Sequence, residues 1–356
     1  MRDRLQNLIF VLLLTIPALG IAQVEPVIEN IIGEISHGAE IQVTGQSFGS
    51  KPQASPRYWA DFESGINPND LGLSQVWDQI VGNLTGDNTR TRSSGALRSD
   101  VSTAGGGGPV VRDMNSDNWY MFFKRYYAFD IETNLGPIGF NLKINRMWPE
   151  IIGGEIPYGN NIHINYQGNE PRGNGRVTNE NTSIDGTLWF RDIAPFVPNQ
   201  WHTEEIIYKT GQINVQDGVF NWIRNGIPVW TGRLWQMRTS ERPNRYKQLF
   251  FDQVSNGTGP GPLWIYYDDI YMDDTWARVM ACNKSIWKMC QKKEIQIPIS
   301  WDNNQIDIVI NFGDFDILNE SIYLFVITES GQVNPKGMLI SQCSNCPNSP
   351  TDLDSL

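Results

Sequence analysis

Histidine is scarce in this chain of 356 residues: only three occur. Cysteine is nearly as rare, and all four lie in the last quarter, at Cys282, Cys290, Cys343 and Cys346. Four cysteines so placed could make a four-thiolate zinc site as an alternative to disulfides, but the seven residues between Cys282 and Cys290 are the wrong spacing for a zinc knuckle. No G-x-S-x-G, H-E-x-x-H or glycine-rich loop followed by Lys-Ser/Thr is present, which removes the commonest serine hydrolase, metalloprotease and nucleotide-binding signatures. The run Gly105 to Gly108 lacks the lysine a phosphate cradle needs. Beyond residue 16 there is no apolar run long enough to cross ~30 Å of hydrocarbon. Basic residues are outnumbered: Lys plus Arg total 28 against 39 Asp plus Glu, a formal net charge of −11. Such a balance disfavours nucleic acid and anionic membranes as partners.

Aromatic and turn residues are abundant instead. Trp, Tyr and Phe total 40, and Gly plus Pro total 53. That combination favours strands and turns over helices. The N-terminus carries Arg2 and Arg4, then the apolar run Leu8 to Ile16, then small residues at Gly20 and Ala22. This order is that of a secretory signal peptide, residues 1–22, and places the mature chain outside the cytoplasm without a membrane span. In that compartment an even cysteine count implies disulfides, with Cys282 to Cys290 and Cys343 to Cys346 the simplest of three pairings.

Short alternating runs recur along the chain, among them Trp119 to Phe123, Phe140 to Ile144, Asn161 to Tyr166, Trp201 to Tyr208, Gly218 to Ile223 and Leu263 to Ile270. Turn residues separate them, as in an antiparallel sandwich or jelly roll. Leu73 to Val81 is the one weak helical candidate. Near the start, Ile41 and Val43 alternate within P-x-I-x-x-I … G-x-x-I-x-V-x-G-x-x-F-G. Near the end, Ile306, Ile308 and Ile310 alternate, followed by Y-L-F-V-I-T-x-S-G and N-P-x-G.

These two end segments resemble the opening and closing strands of an IPT/TIG immunoglobulin-like domain. Trp201 to Gly232, with W-H-x-x-E, D-G and W-I-x-N-G-x-x-V, and Leu263 to Asp273 resemble the back-sheet strands of concanavalin A-like lectin, glucanase and polysaccharide-lyase jelly rolls. The expected fold class is therefore all-β: an antiparallel jelly-roll sandwich with a second, smaller immunoglobulin-like sandwich. The expected organisation is residues 23–55 plus 276–342 as one discontinuous immunoglobulin-like domain, residues 56–275 as the inserted jelly roll, and residues 343–356 as a flexible tail. Domain insertion of this kind is tolerated at exposed loops, where chain ends lie close together.

The resemblance implies a polysaccharide partner. Aromatic faces stack on sugar rings, and Asn, Gln and Arg read hydroxyl and carboxylate groups. The candidate binding residues are Lys143, Arg146, Trp148, His163, Asn165, Tyr166, Gln167 and Arg172. For an acidic glycan the same set offers lyase chemistry: His163 or Tyr166 as base or acid, and Arg146 to neutralise the uronate carboxylate and so acidify its neighbouring C–H. The segment Asn161-Ile162-His163 resembles the Q-I-H motif of such lyases, whereas their Y-F-K-A-G-x-Y-N-Q strand reads LWIYYDDIY here. Three functions thus stand side by side: glycan binding, β-elimination, and a structural or adhesive surface role. Paired-carboxylate glycoside hydrolysis is disfavoured, because Glu204 and Glu205 are adjacent and face opposite sides of a strand. Finally, Asp61 and Glu63 in an F-E-S-G turn, with Asp268 and Asp269 in the closing strand, supply the oxygen ligands a structural calcium needs; the alternative is a solvated turn beside loop-capping aspartates.

Overall fold

The alternation at Ile41 and Val43 does build a strand with one buried face, and its partner comes from the far end of the chain. A computed structural model describes residues 24–63, 79–102, 107–111, 114, 116–131, 141–149, 162–167, 174–179, 187–254 and 261–344. The proposed signal at residues 1–22, Arg172 and Cys346 lie outside the described residues. Within them, β1 (Val27–Ile32) and β2 (Glu40–Gln46) join a sheet with five C-terminal strands. These are β18 (Arg278–Cys282), β19 (Lys293–Trp301), β20 (Gln305–Val309), β21 (Ile322–Ile327) and β22 (Met338–Ser341). Ile41 pairs with Ile308 and Val43 with Ile306. The first half of β19 pairs with β18 and its second half with β20, so this one strand serves two halves of the sheet. Ile41, Val43, Ile306, Ile308, Leu324 and Val326 then pack into one core. Cys282 and Cys290 form a disulfide. Cys343 is also disulfide-bonded.

The strands between form a larger sandwich. One sheet holds β4 (Gln79–Val81), β7 (Gly107–Val111), β9 (Asn141–Pro149), β10 (Ile162–Gln167), β11 (Asn174–Asn179), β12 (Thr187–Arg191) and β16 (Tyr246–Val254), in the order β12-β11-β10-β9-β16-β7-β4. The other holds β5 (Asn83–Thr85), β6 (Ala96–Asp100), β8 (Asn118–Tyr127), β13 (Trp201–Lys209), β14 (Gly218–Arg224), β15 (Ile227–Trp235) and β17 (Trp264–Asp273), with β3 (Tyr58–Ala60) paired alongside β17. All strand pairs in these sheets are antiparallel, as in a jelly-roll-like fold. Part of the one helical candidate, Gln79–Val81, is strand, because tertiary pairing with β7 outweighs a weak local preference. Among the described residues no helix is long and apolar enough to cross a membrane.

Period-two alternation sorts the side chains of β8. Trp119, Met121, Phe123 and Tyr127 enter the large core with Leu142, Ile144, Ile164 and Leu249 of the opposite sheet. Tyr120 and Phe122 point the other way and pack on Met280, Ile295, Phe325 and Ile327 of the small sandwich. Buried ion pairs fasten the same junction. Lys124 Nζ lies 2.7 Å from Glu294 and 3.1 Å from Asp314. Lys51 pairs with Asp273 at 2.6 Å. The outward side of the β8–β17 sheet is thus partly covered by the small sandwich, and the sheet containing β9 and β10 carries the other broad face.

Candidate functional site

Strand β9 reads NLKINRMWP, and its apolar alternation contains one irregularity. Leu142, Ile144 and Met147 are all fully buried in the core, so one residue too many lies between Ile144 and Met147 for strict alternation. Pairing with β10 shows why. Ile162 faces Met147 and Ile164 faces Ile144, so Asn145 and Arg146 together oppose His163. This is a β-bulge, and Asn145 adopts a left-handed conformation there, φ 51°. Asn is among the few residues that tolerate this region.

The bulge is held from inside. Arg125 of β8 donates from Nη2 to Asn145 Oδ1 at 2.8 Å and from Nη1 to Glu204 Oε1 at 2.8 Å. Arg125 Nε lies 3.4 Å from Asp252. Trp222 Nε1 donates to the second Glu204 oxygen at 2.8 Å, and the Tyr127 and Tyr267 hydroxyls donate to Asp252. Burial raises the Asp252 carboxyl to about 7, although the Arg125 charge and these hydrogen bonds oppose that rise. Burial lowers the Arg125 guanidinium, but Asp252 and Glu204 more than offset it, so the group stays charged. The sequence reading considered Glu204 only for hydrolysis, and here it is committed to Arg125 and Trp222 within the core.

Beyond the bulge, Arg146 and Trp148 share a side of β9. The Arg146 guanidinium lies 3.9 Å from the centroid of the Trp148 ring. Phe250 of β16, register partner of Arg146, meets Trp148 edge-on at 6.4 Å. Lys143 alternates away from the buried Leu142 and Ile144. On β10, His163 alternates with the buried Ile162 and Ile164, and Asn165 and Gln167 fall at the positions that share its side. Asn165 pairs with Lys143 on one flank and Arg176 on the other. Arg146 is 8% exposed and His163 only 2%. The sheet therefore brings Lys143, Arg146, Trp148, His163, Asn165 and Gln167 onto neighbouring positions of one face. Tyr166 is the exception. It pairs with Leu142 and alternates with Asn165, which places it at a core-facing register position and separates it from His163. Arg176, at an outward register position beside Asn165, was missed because residues 174–179 show only one apolar side chain, Val177.

The four carboxylates considered for calcium already have protein partners, although Asp61, Glu63 and Asp269 line one small cleft with Arg90. Arg90 Nε lies 2.8 Å from Asp268, Nη2 lies 2.6 Å from Asp269 and Nη1 lies 3.0 Å from Asp314. Glu63 accepts from the Ser94 amide at 2.8 Å and its hydroxyl at 3.0 Å, while Asp61 accepts the Glu63 amide at 3.3 Å. The positive charge that two clustered aspartates require is supplied by a guanidinium. Among the described residues no group of three or more His, Cys, Asp or Glu is placed to hold a metal ion. The donor set does not fit a calcium site. The remaining histidines bond to the backbone or to Asn: His37 Nδ1 accepts the Phe312 amide at 3.2 Å, and His202 lies within hydrogen-bond distance of Val197 and Asn225.

No protein-family model matches this chain, and no curated protein matches it. Solved structures with a similar fold include alginate lyase Aly36B, at 12% identity and a TM-score of 0.43 over 62% of this chain and 97% of that one. An endo-β-1,4-glucuronan lyase from the fungus Trichoderma reesei is similar at 13% identity and 0.43, over 63% and 97%. The binding domain of botulinum neurotoxin serotype G is similar at 11% identity and 0.32, over 70% and 67%. At these identities the likeness concerns the sandwich fold alone.

Proposed function

We propose that this chain is an extracytoplasmic protein that binds an anionic, uronate-containing polysaccharide on the outward face of the β9–β10 sheet. The observation that carries this reading is the Arg146 guanidinium 3.9 Å from the centroid of Trp148, on the side of the sheet that also carries Lys143, with the buried His163 beneath it at the neighbouring position of β10. A guanidinium over an indole ring is a planar group whose donors match a carboxylate better than an ammonium does. Aromatic side chains beside it offer a face to a sugar ring, and Asn165 and Gln167 supply donors and acceptors for hydroxyls. The chain as a whole is acidic, so this cationic patch acts through local contacts and not through long-range steering. The Cys282–Cys290 disulfide supports residence outside the cytoplasm. Titration calorimetry with alginate, polyglucuronate and neutral cello-oligosaccharides tests the reading. The acidic oligosaccharides should bind and the neutral ones should not; equal binding of both classes, or of neither, would sink it.

β-Elimination is a second reading, favoured by one observation: His163 opposes the Asn145–Arg146 bulge, so a base and a carboxylate-neutralising cation are neighbours. His163 is almost fully buried, which favours binding over turnover. Accumulation of unsaturated uronate, read by its ultraviolet absorbance and lost in His163→Ala, would decide for the lyase.

A further inference from the structure

The two sandwiches also border an open-sided cavity of about 730 Å³ at their junction, within the ~300–1,000 Å³ range of small-molecule sites. Its floor is the side of β13 and β14 that faces away from the large core. Ile207, Val219, Asn221 and Ile223 occupy these positions, while Phe220 and Trp222 point inward. The opposite wall is Trp287, Ile327 and the turn that follows β21. That turn is braced by its own bonds: Gly331 N donates to Thr328 O at 2.9 Å, and Thr328 N donates to Gln332 O at 2.9 Å. The wall is therefore preformed.

The lining is mainly apolar. Ile207, Ile223, Leu234, Ile327 and the half-buried Trp276 and Trp287 dominate it. Leu234 is left 71% exposed. Sugar hydroxyls facing these walls would lose their water partners without replacement, which argues against a second glycan. The charged lining is unbalanced: two cations, Lys293 and Arg278, stand against one carboxylate, Glu205. Glu205 is fully engaged, accepting from Lys293 Nζ at 3.0 Å and from the Tyr120 hydroxyl at 3.0 Å. Arg278 gives Nη1 to Trp276 O at 2.8 Å and stacks 3.9 Å from the centroid of the Tyr120 ring. Its Nε, and Oδ1 of Asn221, have no hydrogen-bond partner among the described residues, although the two side chains are only 4% and 7% exposed. Unpartnered buried polar atoms are costly.

We propose that the junction cavity binds a small amphipathic monocarboxylate, an apolar aromatic body carrying one acid group. The body lies against the Trp276 and Trp287 side of the cavity, and the carboxylate answers the excess positive charge at Arg278. The site is on the opposite sheet of the large sandwich from the proposed polysaccharide face and does not depend on it. The test titrates the full chain with naphthalene-2-carboxylate and with its neutral counterpart, naphthalene-2-methanol, by calorimetry and tryptophan fluorescence. One carboxylate should bind per chain, and the alcohol should bind at least about tenfold more weakly. Ser330→Trp, on the exposed turn, should fill the cavity and abolish binding with an unchanged unfolding midpoint; Gln332→Trp serves if that variant fails to fold. Equal affinity for acid and alcohol, binding that survives both substitutions, or no binding at millimolar carboxylate would overturn the proposal.

Discussion

Arg125 Nη2 donates to Asn145 Oδ1 at 2.8 Å across the interior of the large sandwich, tying a strand of one sheet to the bulge of the other. The bond fixes the point at which β9 changes register, and that change decides that Arg146 and Trp148 stand on the side away from the core. Asn145→Ala should therefore cost in two ways. A left-handed alanine costs about 1–3 kcal/mol in backbone strain, and the lost charge-assisted bond adds about 1.5–3 kcal/mol. Asn145→Gly incurs only the second cost, because glycine adopts the left-handed conformation freely but cannot accept the bond. Urea unfolding of the two variants measures the difference; equal losses would show that the left-handed backbone is not what asparagine provides.

The Asp252 carboxyl makes stability depend on pH in a defined direction. Burial raises it to about 7 in the folded chain, against about 3.9 when unfolded. Between those values the folded chain keeps a proton that the unfolded chain releases. The contribution is therefore complete below about pH 4 and is lost as pH rises toward about 7. Asp252→Asn should flatten this dependence, so the urea midpoint should fall less from about pH 5 to about pH 8 in the variant than in the parent chain. Parallel profiles for the two proteins would contradict the assignment.

Much of the strand pattern was legible because alternation is a local signal. Ile41 with Val43, and Ile306 with Ile308, each revealed a one-sided strand, and Phe140 to Ile144 marked the start of β9. Arg125 and Arg90 were not legible. Their partners lie far away in sequence: Asn145 and Glu204 for the first, and Asp268, Asp269 and Asp314 for the second. Nothing local marks an arginine as destined for a sandwich interior, since such residues are usually exposed. The bulge was equally hidden, because an extra residue in one strand shows only against its partner. That is also why Tyr166 was grouped with His163: adjacency in sequence suggested a shared site, and the register divides them.

Lys124 carries the junction between the sandwiches. It is fully buried and bonded to Glu294, Asp314 and the Thr203 hydroxyl. Burial lowers its ammonium, but Asp314 and Glu294 more than offset that, and it stays protonated. Lys124→Met leaves the buried Glu294 without its cation, and removing one partner of a buried pair typically costs about 3–5 kcal/mol. The double variant Lys124→Met with Glu294→Gln should recover part of that loss, since the stranded charge is gone. Guanidinium unfolding of both variants checks this, and a loss below about 1 kcal/mol in the single variant would mean that the pair is solvated and weak.

The proposed polysaccharide face distinguishes charge from geometry through a single position. If Arg146 contributed only positive charge, Arg146→Lys would bind acidic oligosaccharide as the parent does. The planar guanidinium over Trp148 predicts otherwise, because an ammonium is a point charge that cannot lie flat on the indole or bond both carboxylate oxygens in parallel. Arg146→Lys should therefore lose about tenfold in affinity, near 1.4 kcal/mol, and Arg146→Ala more. Trp148→Ala keeps the charge but removes the stack, worth about 0.5–2 kcal/mol, so it should weaken binding by a comparable factor. Raising salt should weaken the parent and the Trp148 variant alike, since both keep the cation, and should affect Arg146→Ala less. Titration of alginate oligosaccharide into the three variants at two ionic strengths measures all of these. Full retention of affinity in Arg146→Lys would reduce the site to a diffuse positive patch and remove the reason for the stack.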